Sequence, residues 1–319
     1  MNIALDMMGG DFAPLEAIKG ISLYLQNNPS PEKLLLIGDE PVIKKLLDAH
    51  NIFYSDLSII HASQVIEMHE HPTKALKEKQ QSSIAIGFKL LAEGKADAFI
   101  SAGNTGAMMV GALFSIKGIK GVLRPTIGAY LPRENGQLGL LLDVGLNADC
   151  RPENLSQFAI LGSLFAKHIL NYENPRVGLV NLGEEEGKGN ILTQAAYALL
   201  KANNQINFAG NVEGRDILLD KADVIICEGF TGNVILKFAE SIYDIVQRRN
   251  IRDEHFNRFN FEIYGGVPVL GVNKPVIIGH GISHAIAFKN MILMAEKMLE
   301  KDLTGKIRKS FSVSPAAIP

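Results

Sequence analysis

Cysteine is almost missing from this chain of 319 residues, Cys150 and Cys227 being the two it has. Two thiols build no disulfide framework, and no spacing of Cys or His matches a zinc site, so neither a bridge nor a metal is expected. His69 and His71, beside Pro72, read as solvated or capping residues. Long apolar runs are missing as well. The longest have strand length and are broken by Gly or charge, far below the ~20 residues of a membrane span. A charge surplus is also missing: Lys plus Arg is 32 against Asp plus Glu 34, a formal net charge of -2, which excludes a general nucleic-acid binder with its basic stripe. The opening Met1-Asn2-Ile3-Ala4-Leu5-Asp6 has neither the charged nor the apolar region of a secretion signal, so a cytoplasmic, reduced protein is expected. Finally, no G-x-G-x-x-G follows a strand, no G-K-[ST] occurs and no G-x-S-x-G elbow is present. A nicotinamide cofactor, ATP and a serine hydrolase are therefore not indicated, and no cofactor is expected.

What is present is 47% hydrophobic and 21% charged, enough for a large core in one big or two medium α/β domains. The stretch over residues 96–111, ADAFISAGNTGAMMVG, has an echo over residues 222–237, ADVIICEGFTGNVILK. Their first eleven positions agree at six, where composition alone gives about one. Each copy runs Ala-Asp, a short β-favouring run, Gly-x-Thr-Gly and then apolar residues at helical spacing, which predicts strand, glycine turn and helix start. Such turns bind anions, because unpaired N–H groups and the helix dipole point at whatever sits above them. Two copies predict a duplicated fold with an internal pseudo-dyad and the two turns facing one cleft.

Elsewhere strands and helices alternate. Strands are expected over residues 2–6, 34–37, 57–61, 177–180, 206–209 and 276–278. Helices are expected over 14–27, opened by Pro14, after Pro41, over 74–93 with a break at Ser82-Ser83, over 152–170, over 235–249, over 252–261 with exposed aromatics, and up to about residue 299. Alternation means a largely parallel sheet. Asn135-Gly136 between the apolar runs 126–131 and 137–142 predicts a β-hairpin, so the sheet is mixed. Residues 309–319 lack periodicity and are expected to be flexible. The fold class is thus a three-layer α/β/α arrangement with a mixed, mainly parallel sheet. It forms one catalytic unit over 1–308, built of two intertwined subdomains, plus the tail 309–319.

Glycine turns at Gly9, Gly103, Gly145, Gly183, Gly229 and Gly279 end strands, where open α/β sheets bind ligands. Glu184, Glu185 and Glu186 offer magnesium ligands, but a solvated face, with Gly187-Lys188-Gly189 closing over an anion, fits the run better. Cys227 stands where Ser101 stands in the first copy, which suits a small buried residue better than a nucleophile. Arg248, Arg249, Arg252 and Arg258 cluster with Phe256, Phe259 and Phe261, a patch for an acidic partner or an anionic membrane.

Leu5-Asp6-Met7-Met8-Gly9-Gly10-Asp11, Ser101-Ala102-Gly103-Asn104-Thr105-Gly106-Ala107, Leu142-Asp143-Val144-Gly145, residues 183–189, Gly229-Phe230-Thr231-Gly232-Asn233 and Leu270-Gly271-Val272-Asn273 together resemble the PlsX family, the bacterial phosphate acyltransferases. The resemblance implies that acyl-[acyl-carrier-protein] and inorganic phosphate give acyl phosphate, for phosphatidic acid synthesis. It also implies a homodimer with a fold like isocitrate and isopropylmalate dehydrogenases, working at the cytoplasmic face beside the membrane acyltransferase that uses acyl phosphate. Glu228 stands where the family usually has Asp, and the segment before Gly265-Gly266 is shorter, which trims the helical hairpin the family is thought to use at the membrane.

Phosphate is already a dianionic nucleophile and a thiolate leaves readily, so positioning and charge stabilisation are the main tasks. Ser101, Gly103, Asn104, Thr105 and Gly106 are the expected phosphate site. Gly229, Thr231, Gly232 and Asn233 are expected to hold the thioester oxygen or to share the phosphate. Lys188 is the candidate for charge neutralisation, and Asp143 or His280 for moving a proton. Three rivals stay open: a phosphotransacetylase using acyl-CoA, a non-catalytic acyl-chain or carrier-protein binder, and a metal-dependent hydroxyacid dehydrogenase.

Overall fold

The computed structural model describes residues 1–28, 33–52 and 57–312. In chain order the elements are β1 (Asn2–Asp6), α1 (Leu15–Asn27), β2 (Lys33–Gly38), α2 (Glu40–Ala49), β3 (Leu57–His61), α3 (Pro72–Glu78), α4 (Ser83–Ala92), β4 (Ala98–Ser101) and α5 (Thr105–Gly111), which continues as a π-helical segment, Ala112–Ile116. The hairpin β5 (Thr126–Pro132) and β6 (Leu138–Leu142) follows, then α6 (Pro152–His168), β7 (Arg176–Val180), α7 (Ile191–Ala202), β8 (Asn207–Val212), β9 (Val224–Ile226), α8 (Gly229–Arg248), α9 (Glu254–Asn257), β10 (Gly266–Leu270), β11 (Val276–Gly279), α10 (Ala285–Glu300) and α11 (Leu303–Ser312). The architecture is α/β/α with a mixed, mostly parallel sheet.

The chain divides into two compact units. Met1–Gly118 and Phe261–Thr304 form the first, with strand order β3-β2-β1-β4-β11-β10. All its neighbours are parallel except β10 on β11. The second, Ile119–Asn260 with Gly305–Pro319, has the order β5-β6-β9-β7-β8, and only β5 on β6 is antiparallel. The central strands are apolar on both faces, as parallel strands between helix layers must be. Ile3, Ala4 and Leu5 of β1 and Ala98, Phe99 and Ile100 of β4 are wholly buried, each larger side chain contributing roughly 1.5–3 kcal/mol.

Polar residues set the helix starts. Asp39, Ser82, Asn104, Asn190, Glu228 and Asp253 each accept a backbone N–H in the first turn of the following helix. Ser82 thereby restarts the chain as α4 after α3, the break its sequence predicts. Other expectations are corrected. Helix α8 begins at Gly229, six residues before the predicted start, because Glu228 caps it there. Residues 266–270 form a strand although Pro268 interrupts the run. Helix α9 covers only Glu254–Asn257, and Phe259 is buried rather than exposed. The tail expected to be flexible from residue 309 is helical through Ser312, and its remaining residues lie outside those described. Among the described residues no helix is long and apolar enough to cross a membrane.

Candidate functional site

Strands β1 and β4 run side by side with Leu5 opposite Ile100, so their last residues, Asp6 and Ser101, meet. Ser101 Oγ donates to Asp6 Oδ2 at 2.7 Å and accepts from the Gly103 N–H at 2.9 Å. The Met8 N–H donates to Asp6 Oδ1 at 2.9 Å. Only glycine fits at position 9, where a Cβ would stand 2.5 Å from Gly103 N. Asp6 has no exposed surface. Burial pushes its carboxyl above the ordinary 3.8, against hydrogen bonds from Ser101, Ser83, Met8 and Gly9 that pull it down.

That shift has a sign. With the folded-state value raised, the folded state holds the proton more tightly. The stabilisation is full below 3.8 and is lost as pH rises through the folded value. Asp6→Asn keeps the shape of the protonated side chain. Urea unfolding of this variant and the parent from about pH 4 to 8 should show a flatter pH slope in the variant; identical slopes would remove Asp6 as the titrating group.

The turn above this pair is built on Asn104, which is 4% exposed. Its Oδ1 accepts from the Ala107 N–H at 2.9 Å, and its Nδ2 donates to the carbonyls of Glu67, Met68 and Glu70 at 2.9, 3.2 and 3.0 Å. Both ends of the amide are committed, so Asn104 shapes the turn and leaves ligand contact to others. The N–H groups of Thr105 and Gly106 have no hydrogen-bond partner among the described residues. A side chain at Gly106 would collide with Pro72, so α3 closes directly over the helix start.

The second unit repeats the plan with other residues. Leu142 lies opposite Ile226, which brings Asp143 beside Cys227. Asp143 is wholly buried and accepts from five donors. The N–H groups of Gly145, Leu146 and Asn147 reach Oδ1 at 2.7, 2.7 and 3.5 Å, while Thr126 Oγ1 and Asn147 Nδ2 reach Oδ2 at 3.0 and 2.7 Å. The Gly229 N–H donates to the Asn147 carbonyl at 2.7 Å, and Asn233 Nδ2 to the Val144 carbonyl at 3.3 Å. Burial first, then neighbouring carboxylates, hold the Cys227 thiol well above its ordinary range, and burial with Asp143 pushes Cys150 up to about 12. Neither is an activated nucleophile.

The two helix starts differ in charge. Helix α8 is capped by the Glu228 carboxylate, which takes the Thr231 N–H at 2.9 Å and the Thr231 hydroxyl. An anion of the protein's own already sits at this positive helix end. At α5 the cap is the neutral Asn104 amide.

Lys188 lies in the loop 183–190, held by Asn181 Nδ2 on the Lys188 carbonyl at 3.0 Å and Asn211 Nδ2 on the Glu185 carbonyl at 2.9 Å. Glu184 is paired with Lys221 and Glu186 with Lys201, so part of the acidic run is neutralised. Among the described residues the Lys188 ammonium has no ion pair. The carboxylate oxygens of Glu184, Glu213 and Asp216 lie within 4.8 Å of one another, but Lys221 Nζ stands among them, 2.6 Å from Glu184 and 2.9 Å from Asp216. In the first unit His280 is exposed, its Nδ1 accepting from the Ile282 N–H at 3.4 Å, its ring 5.0 Å from Phe261. Of the arginine patch, Arg258 donates to the carbonyls of Arg133 and Gln137, and Arg248, Arg249 and Arg252 are exposed.

Asp6, Ser83, Thr126 and Asn147 were not among the sequence candidates. The repeated Leu-Asp before a glycine, at residues 5–6 and 142–143, is the signal that marks the two acids; Ser83, Thr126 and Asn147 have none.

The fold is that of phosphotransacylases. A phosphotransacetylase from Streptococcus pyogenes superposes with a TM-score of 0.66 at 18% identity over 94% of each chain, and a branched-chain phosphotransacylase from Enterococcus faecalis V583 with 0.62 at 15%, over 94% of this chain and 99% of that one. Residues 1–306 match the family described as "Fatty acid synthesis protein". Proteins named phosphate acyltransferase are similar throughout: that of Dictyoglomus turgidum is 43% identical over 96% of both chains, and that of Acetivibrio thermocellus 44% over 98% of this chain and 96% of its own. The chain belongs to this family, the PlsX family.

Proposed function

We propose that this enzyme moves a fatty acyl group from acyl-[acyl-carrier-protein] to inorganic phosphate, giving acyl phosphate for phospholipid synthesis. Family membership and the relatives' shared name support acyl transfer to phosphate. The observation that carries the assignment of roles is the difference between the two caps. Phosphate seeks a helix start with free N–H groups and no resident charge, and α5 offers the Thr105 and Gly106 N–H groups behind a neutral amide. Helix α8 has its carboxylate in place, so its remaining Phe230 N–H suits a neutral carbonyl oxygen better than a second anion. Asp143, filled by five donors, holds its turn in shape rather than carrying a proton. Lys188 is the candidate for neutralising charge, and His280 for moving a proton.

The test is phosphate-dependent release of free carrier protein from acyl-carrier protein, with acyl-CoA in parallel and no nucleotide added. Release from the carrier protein with acyl phosphate formed supports the proposal. Activity with acyl-CoA alone would move the chain to the phosphotransacetylase reaction, and none with either donor would leave a binding protein.

Carrier proteins are acidic partners, and Arg249 and Arg252 are the exposed charges that suit one. Arg249→Glu with Arg252→Glu should raise KM for the carrier-protein donor by about tenfold at low salt, leave acyl-CoA turnover unchanged and lose its effect near 0.5 M salt. Equal effects on both donors would remove the patch from docking. Helix α8 exposes Phe230, Val234 and Phe238 at four-residue spacing, a stripe that supports a homodimer; a monomer at micromolar concentration in sedimentation would argue against it. Work at the cytoplasmic face, beside a membrane acyltransferase consuming the product, follows from the same reading, and failure to bind anionic vesicles would separate the two.

A further inference from the structure

Between α3, α4 and the C-terminal end of α5 lies a groove that the proposed chemistry has not used. It has a volume of about 310 Å³ and is walled by Leu76 of α3, Ala85 and Phe88 of α4, Val110 of α5 and Phe114 of the π-helical segment, with Lys77 at an exposed position. That volume is at the lower end of the roughly 300–1,000 Å³ of ligand pockets. All of it belongs to the first unit.

Three features point to its occupant. Its walls are largely apolar, so it suits a hydrocarbon better than a polar head group. It follows α5 away from the turn: Val110 comes six residues after Asn104, about 9 Å along the helix, and Thr73 at the near end adjoins Pro72, which packs on Gly106. Last, α5 changes to π-helix at the groove, a rare conformation that recurs at functional sites. That segment holds Phe114 out at 73% exposure, while Gly111, where any side chain would collide with the Phe88 ring, lets it close on α4.

We propose that this groove receives the alkyl chain of the fatty acyl donor, with the methylenes laid between α3 and α5 and the chain's head directed toward the phosphate held at residues 103–106. The proposal rests on the acyl-transfer reading for the reaction but makes a separate claim about binding. The groove is open along one side, so it would accept long chains and lose its advantage with short ones.

The chain contains no tryptophan, so Phe114→Trp places a lone fluorophore in the groove at an exposed position. Titration with hexadecanoic acid below its aggregation limit should give a saturable blue shift, and butyric acid none. No shift with hexadecanoic acid overturns the proposal whether or not the protein is an active transferase. A blue shift that grows with protein concentration alone would show a second copy covering the groove, and also overturns it. In turnover, Val110→Trp fills the groove and should lower kcat/KM for a hexadecanoyl donor by about tenfold relative to a butyryl donor; an unchanged ratio in an active enzyme rejects the groove, while inactivity of the parent on every donor with the blue shift intact rejects only the transfer reading.

Discussion

Asn104→Asp should raise KM for phosphate by about 100-fold or more. The substitution is nearly isosteric and its Oδ1 still caps Ala107, but it puts a carboxylate at a helix start that the protein leaves uncharged. Two unit charges about 4 Å apart repel by about 4 kcal/mol at an effective dielectric of 20. Even half of that exceeds one decade at 1.4 kcal/mol per decade, and phosphate carries more than one charge. The same change removes the donor that serves the carbonyls of Glu67, Met68 and Glu70. Stability should fall by about 2–4 kcal/mol, since part-buried acceptors lose their partner and now face a negative charge. Steady-state kinetics with varied phosphate and urea unfolding separate the two effects. A variant with parental KM for phosphate would show that phosphate binds elsewhere, whatever its stability.

Asp143→Ala should be the most destabilising single change in the second unit. Five donors converge on this carboxylate at no exposure. Leaving even two buried donors unmet costs about 1–3 kcal/mol each, so a loss of about 3–5 kcal/mol is expected, with the turn of residues 143–147 losing its shape. Complete failure to fold would agree with this but measure nothing. Thr126→Val is therefore the companion: it removes one donor at constant shape and should cost only about 0.5–1.5 kcal/mol, read as a shift in urea midpoint at constant slope. A loss below about 1 kcal/mol for Asp143→Ala would mean that water satisfies the donors and the carboxylate is not what holds the turn.

Local chemistry made much of the fold legible. Asn135 and Gly136 announce the hairpin because a tight turn needs a residue at positive φ, and Gly136 sits at +84°. Ser82 announces the break between α3 and α4 because a hydroxyl there satisfies the new helix. The echo of residues 98–101 in 224–226 is realised as β4 and β9, β4 beside β1, which ends in Asp6, and β9 beside β6, which Asp143 follows. What stayed hidden is non-local. Ser101 and Asp6 are 95 positions apart and Arg133 finds Asp220 at 87; no periodicity encodes such pairs. Pro268 disguised β10, since proline in an apolar run reads as an interruption. The site was half legible: the glycine turns could be placed from spacing, but the reach of Asn104 to residues 67–70 depends on α3 folding back over α5. The charge contrast between the two caps, by comparison, stands in the sequence as Asn104 against Glu228.

The order of strands in the first unit also sets a timetable for synthesis. Strand β11 pairs with β4, yet it follows the whole of residues 119–260 in the chain. As the polypeptide leaves the ribosome, β1 to β4 emerge early and β4 must wait, its outer hydrogen-bonding edge bare, until β11 follows residues 119–260. A nascent chain halted after the second unit would carry that edge unprotected, the condition in which strands recruit one another between molecules. Strands β10 and β11 thus act as a closing clasp: a chain stopped before them would leave the β4 edge unpaired and open to other strands.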